Sequence, residues 1–178
     1  MRFSYLILIY FFGSINSFSQ DLKDEVNSIL NSYYGKSSKI TYVKYELSSS
    51  LKKDIEYKAQ QKFYSSAVYL YKVEKNNGDR AYAILDNVYG KSMPITFIVF
   101  FNAAGVIESS HIVKYREQYG GAVKNKNWNE QFVGKNSFSS FIVGKDINSI
   151  SGATISVNSI SKGIHKLSLL ISEIIKNE

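Results

Sequence analysis

The stretch "PITFIVFF" (residues 94–101) is apolar on both of the alternating faces that a strand would present. A strand of that kind belongs at the centre of a sheet, where neither face meets water. Further strand signals surround it. "FYSSAVYLYKV" (63–73) and "RAYAILDNVY" (80–89) are separated by the turn Asn76-Asn77-Gly78-Asp79, and "NAAG" (102–105) turns the central run into "VIESSHIVKY" (106–115). Upstream, "KITYVKYEL" alternates Ile40, Tyr42 and Lys44 against Thr41, Val43 and Tyr45. These runs predict an α+β fold: a strongly twisted antiparallel sheet flanked by helices.

The helices are read from a different period. Leu22, Val26, Ile29, Leu30 and Tyr33 share one face over 21–34. Asp21 and Asp24 suit the start of that helix and Gly35 its end. Residues 51–61 read as a short polar helix with Ser50 as its N-cap. Over 158–176, Ile160, Ile164, Leu167, Leu170, Ile171, Ile174 and Ile175 fall on one side, and Lys162, Lys166, Ser172 and Glu173 on the other. The region 116–137, with Gly120-Gly121, Trp128 and Gly134, reads as irregular.

Composition narrows the function classes. The chain of 178 residues suits one compact domain, and its 14 Tyr and 11 Phe suit a β-rich core. The net charge is +7, but the lysines are scattered and form no stripe of the kind that binds nucleic acid. There is no cysteine, which excludes disulfides, thiolate catalysis, iron–sulfur clusters and Cys-ligated zinc. The N-terminus carries Arg2, an apolar run over Tyr5–Phe12, and Ser17 and Ser19 flanking Phe18. That run is far shorter than the ~20 residues of a spanning helix. It reads as an export signal over residues 1–19, with an uncleaved membrane tether as the lesser alternative.

No self-sufficient active site emerges. His111 and His165 lie on a strand and a helix, and no nucleophile elbow or metal-ligand spacing accompanies them. Asp86, Glu108, Glu117 and Asp146 are candidate acid–base groups but read as solvated. An imported cofactor would remove the need for such a site. The remaining candidate is Ser151-Gly152-Ala153-Thr154, which opens the last helix. Gly152 and Ala153 let a bulky group approach the backbone, and Thr154 offers a hydroxyl. The helix start adds free N–H groups and a partial positive charge, which suit a phosphate. An ordinary Ser/Thr-rich helix start is the competing interpretation of the same residues.

The motif in its context, Asn148-Ser149-Ile150-Ser151-Gly152-Ala153-Thr154-Ile155-Ser156, resembles the signature of the FMN-binding domain family, Asp-x-x-(Ser/Thr)-Gly-Ala-Thr. "REQYGGAV" (116–123) and "NEQFVGK" (129–135) also match the family's order and spacing, so the resemblance spans roughly residues 80–170. It implies an exported flavoprotein that binds FMN through a phosphoester on Thr154, installed from FAD by an FAD:protein FMN transferase. Ser151, Gly152, Ala153, Ile155 and Ser156 would cradle the phosphate and ribityl chain. Glu117, Tyr119, Gly120 and Gly121 would approach the ring. The role implied is an electron carrier more than a stand-alone enzyme, placed in the periplasm. Redox proteins and the transferase would be its partners, nucleic acid would not, and a membrane would lie nearby. The domain would span 80–178, with 20–79 packed against it. Gln131 and Phe132 read as loop anchors.

Two departures bear on this. Asn148 stands where the family has Asp, with Asp146 two residues earlier, and the loop reads Glu117-Gln118-Tyr119-Gly120-Gly121 where respiratory members tend to have Glu-Thr-Pro-Gly. Asn148 favours an alternative in which FMN is held without a covalent bond, or is lost and the domain serves as an exported interaction module.

Overall fold

The computed structural model describes residues 15–178. The first residues of the expected export signal, 1–14, lie outside the described part. Five strands form one antiparallel sheet in sequential order: β1 (Lys39–Glu46), β2 (Ala67–Glu74), β3 (Arg80–Tyr89), β4 (Pro94–Asn102) and β5 (Ile107–Lys114). The register runs through pairs such as Lys39↔Glu74, Tyr69↔Leu85, Ile84↔Val99 and Val99↔Ser110, and is interrupted twice between β4 and β5. Helices α1 (Ile15–Tyr34), α2 (Ser49–Ala59) and α4 (Thr154–Lys176) flank the sheet, and a one-turn α3 (Lys126–Asn129) sits in the long loop after β5.

The doubly apolar strand is the reason for this layering. In β4, Ile95, Phe97, Val99 and Phe101 face one core, and Ile98 and Phe100 the other. The first core is closed by α4 and α2, through Ile55, Val157, Ile160, Ile164, Leu167, Leu170 and Ile171. The second is closed by α1, through Val26 and Leu30 against Ala83, Leu85 and Val113. Each large aliphatic side chain buried this way contributes about 1.5–3 kcal/mol. Gly163 lets α4 press onto the sheet, since a Cβ there would stand 2.7 Å from Val88 Cγ1 and 3.0 Å from Phe97 Cζ.

Helix boundaries differ from the sequence expectation in two places. Helix α1 begins upstream of Asp21, so Asp21 and Asp24 lie in its second and third turns rather than at its start. Asp21 and Glu25 instead pair with Lys114 of β5, at 2.9 and 2.6 Å. The N-cap of α2 is Ser48, not Ser50: Ser48 has extended backbone and accepts from Leu51 N, whereas Ser50 is already inside the helix. Three consecutive serines make the local signal degenerate, and the chain direction leaving β1 selects the first. Helix α4 begins at Thr154, at the motif expected to open it, where Gly152 (φ 75°) turns the chain straight into it.

Helix α4 runs antiparallel to β3. Tyr82 Oη donates to Glu178 Oε2 at one end, Lys166 pairs with Asp86 in the middle, and Val88 packs under Gly163. The start of α4 therefore lies at the end of the sheet that carries the β3–β4 hairpin. The start of α1 is at that same end, fixed by Lys114, while its last residue, Tyr34, donates to Tyr82 O at the opposite end.

Candidate cofactor site

Thr154 is the first residue of α4 and is exposed. Ala153, the preceding cap residue, is buried and supplies no side-chain hydrogen bond to the helix. The first backbone N–H groups of a helix have no partner within it. Here Val157 N already reaches Ala153 O, while the N–H groups of Thr154, Ile155 and Ser156 face the motif without a capping side chain. Gly152 adopts a left-handed conformation with nothing within 4 Å of the position a Cβ would take. Ser151 and Ile155 are exposed. These residues fit a phosphate: an accessible hydroxyl, unspent donors, the positive end of a 23-residue helix, and open space above a glycine.

The segment leading into the motif is held by its main chain. Trp128 Nε1 donates to Asn148 O at 2.9 Å, and Asn148 N donates to Gln131 Oε1 at 2.7 Å. Gln131 is thus the anchor that its place in the sequence suggests, and Phe132 is buried against Trp128 and Phe141. The Asn148 side chain is exposed. Asp146, two residues earlier, accepts through Oδ2 from Ser140 Oγ and from Ile142 N at 3.2 Å within its own turn. These bonds hold its carboxyl below the usual range, the Ser140 hydroxyl most of all.

The 116–121 loop meets the motif directly. Tyr115, at the end of β5, lies 2.9 Å (Oη to Oγ) from Ser156 and donates to Tyr119 O. Gly120 (φ 84°) sits against the first turn of α4, where a Cβ would be 3.4 Å from Ala153 Cα and 3.3 Å from Ser156 Oγ. The Ser156 hydroxyl is buried and turned to Tyr115, so that residue offers a cofactor its backbone N–H. Tyr119 is the opposite case, a residue 75% exposed whose ring is available as a flat face. Gly121 opens a 3-10 turn, Gly121–Lys124.

Glu117 is committed elsewhere. Its Oε1 accepts from Ser92 N at 2.6 Å and Met93 N at 2.9 Å, closing the β3–β4 hairpin. The Met93 and Ser92 amides hold its carboxyl below the usual carboxylate range. Gly90 makes room for it, since a Cβ there would lie 2.5 Å from Oε1.

The remaining candidates lie away from the motif. His111 is half-buried with Nε2 3.0 Å from Ser109 Oγ and its ring edge-on to Phe100, and His165 stacks on Phe141. Burial lowers the pKa of both. Glu108 pairs with Lys75 at 3.3 Å. A cavity of about 580 Å³ lined by Lys72, Arg80, Tyr82 and Glu178 lies at the far end of α4, and the motif chemistry is not there. Among the described residues no group of three His, Asp or Glu could hold a metal ion.

Residues 90–168 match the model of the FMN-binding domain family, and FMN is the cofactor that this match indicates. Among solved structures, the fold is similar to that of a component of the Na(+)-translocating NADH-quinone reductase from Parabacteroides distasonis. That similarity has 14% identity and a TM-score of 0.49, covering 88% of this chain and 98% of the other. No curated protein matches the chain.

Sequence reasoning missed Tyr115 and Trp128 as parts of the site. Tyr115 read only as the end of a strand and Trp128 as part of an irregular region, and no local pattern marks contacts across 41 and 20 residues.

Proposed function

We propose that the protein is an electron carrier whose FMN is attached through a phosphoester on Thr154. The observation that carries this is the exposed Thr154 hydroxyl at an uncapped helix start inside a segment that matches the FMN-binding domain family. The bound flavin would supply the redox chemistry. The chain's part is to hold the phosphate at the N–H groups of Thr154, Ile155 and Ser156, and to leave room over Gly152. Attachment forms a bond from Thr154 Oγ1 to the FMN phosphorus of FAD and breaks the pyrophosphate link. AMP leaves, and the threonine proton passes to the FAD:protein FMN transferase that catalyses the exchange.

Export fits a flavoprotein modified in this way, and the apolar N-terminus supports it. Because the start of α1 lies at the motif end of the sheet, an uncleaved N-terminal tether would hold Thr154 toward a membrane and its redox partners. Among the described residues no helix is long and apolar enough to cross one.

A second reading has one observation in its favour. Asn148 replaces the signature carboxylate and Asp146 is occupied in its own turn, so FMN binding without a covalent bond suits a chain that the transferase does not recognise. Intact mass of the protein exported alongside a flavin transferase separates the two. An increment of one FMN moiety that disappears in Thr154→Ala is the expected result. An increment that persists in the variant, or yellow protein whose flavin is released on denaturation, would overturn the covalent assignment.

A further inference from the structure

We propose that Tyr115 is a positioning residue for flavin attachment: its hydroxyl clamps the 116–121 loop onto the first turn of α4 and so fixes the geometry in which Thr154 is presented. The inference rests on the attachment reading above. Tyr115 is half-buried and lies 41 residues before its partner Ser156, yet one oxygen serves both sides of the contact. It donates to the carbonyl of Tyr119 and lies 2.9 Å from Ser156 Oγ, leaving the serine hydroxyl to give the proton of that second bond.

The surroundings are built around that oxygen. A Cβ on Gly120 would lie 2.6 Å from it, and Gly120 has a positive φ that only glycine adopts without strain. The loop can therefore lie against Ala153 Cα only with a glycine at that point. Ser156 is 5% exposed, and its hydroxyl turns inward to Tyr115. In the first turn of a helix, a serine hydroxyl left free can instead bond nearby backbone groups. Tied to Tyr115, it leaves the N–H groups of that turn uncontested. The clamp thus does two things at once. It lays the loop beside the motif, and it keeps the donors at the helix start unspent while Thr154 stays exposed.

This assigns Ser156 a hydroxyl role different from phosphate binding, and gives the loop a part in attachment as well as in the surroundings of the ring. It also makes Gly120→Ala and Tyr115→Phe a coupled pair, because the phenylalanine removes the oxygen that the new methyl would strike.

The test measures the initial rate of FMN incorporation by intact mass, at limiting transferase and FAD, for the parent, Tyr115→Phe, Ser156→Ala and their double variant. Tyr82→Phe is the control: it removes a tyrosine hydrogen bond at the far end of the sheet and should keep the parent rate. Tyr115→Phe should slow incorporation by about fivefold, the factor equivalent to one hydrogen bond. The double variant should be no slower than Tyr115→Phe alone, and Gly120→Ala should cost less in the Tyr115→Phe background than in the parent. Parent-like incorporation in Tyr115→Phe, or an equal loss in Tyr82→Phe, would overturn the proposal.

A second measurement does not depend on flavin. In the apo-protein, amide exchange should quicken in Tyr115→Phe at Val123, which donates to Gly120 O, and at Ala153, which donates to Ile150 O. Unchanged exchange at both would show that there is no clamp. If exchange quickens but the parent itself takes up no FMN, the clamp is real and the attachment reading fails, taking the positioning role with it.

Discussion

Two polar residues of α4, Lys166 in its middle and Thr154 in its first turn, are treated in opposite ways. Lys166 is fully buried, and its ammonium is completely engaged: 2.7 Å from Asp86 Oδ2, 2.8 Å from Lys62 O, and 4.2 Å above the Phe63 ring. Burial pushes the Asp86 carboxyl up and the Lys166 ammonium down, each toward its neutral form, while their mutual attraction opposes both shifts. Twelve residues earlier, Thr154 is exposed and the helix start has no capping side chain. A buried charge without partners is too costly to keep, so the interior supplies them. Unspent donors at the surface cost little while water reaches them, and they remain available to a ligand. Of the two polar positions on one helix, the unsatisfied one is the candidate site and the satisfied one is scaffold.

The largest effect should come from breaking the scaffold pair. Lys166→Met leaves Asp86 buried without its cation and should cost about 3–5 kcal/mol of unfolding free energy, measured by denaturant titration. Adding Asp86→Leu should recover most of that loss, because two apolar side chains leave no orphaned charge. In Thr154→Ala, by contrast, the unfolding midpoint should correspond to a change within about 0.5 kcal/mol, as expected for an exposed position. A large destabilisation there would mean that the first turn is scaffold too.

Next in size is Gly163→Ala. The added methyl meets Val88 Cγ1 at 2.7 Å and Phe97 Cζ at 3.0 Å, so α4 must move off the sheet. Overpacking of this kind should cost about 1–3 kcal/mol in the same titration. A neutral result would show that the helix seat has slack.

The smallest effect is expected at the hairpin beside the motif. The pKa of Glu117 is lowered in the folded state by the Met93 and Ser92 amides. A group with a depressed folded pKa contributes stability that is present above its unfolded value and lost as pH falls through the folded one. The parent's stability advantage over Glu117→Gln should therefore be present at neutral pH and vanish in acid below the usual carboxylate range. Thermal melts of both proteins across that range would show it. A difference independent of pH would mean that the Ser92 and Met93 bonds do not depend on the carboxylate charge.

The sequence by itself determined the layered α+β fold, since a strand apolar on both faces needs cover on both, and β4 received α4 on one side and α1 on the other. It also determined the cofactor motif and the apolar stripe of α4, because both are written in neighbouring residues, but not the burial of Lys166, which the same period puts on the polar side and the fold pairs with Asp86. Adjacent serines gave no local means of choosing between Ser48 and Ser50 as a cap. Which of the motif's companions touch it was decided by tertiary structure alone. Glu117 and Tyr119 are two residues apart, yet one closes a hairpin and the other faces solvent. Tyr115 and Ser156 meet only because β5 ends, and α4 begins, at the same end of the sheet. Local periods encode which face of an element is apolar, and such contacts depend on where a chain returns after dozens of residues, which no short pattern records.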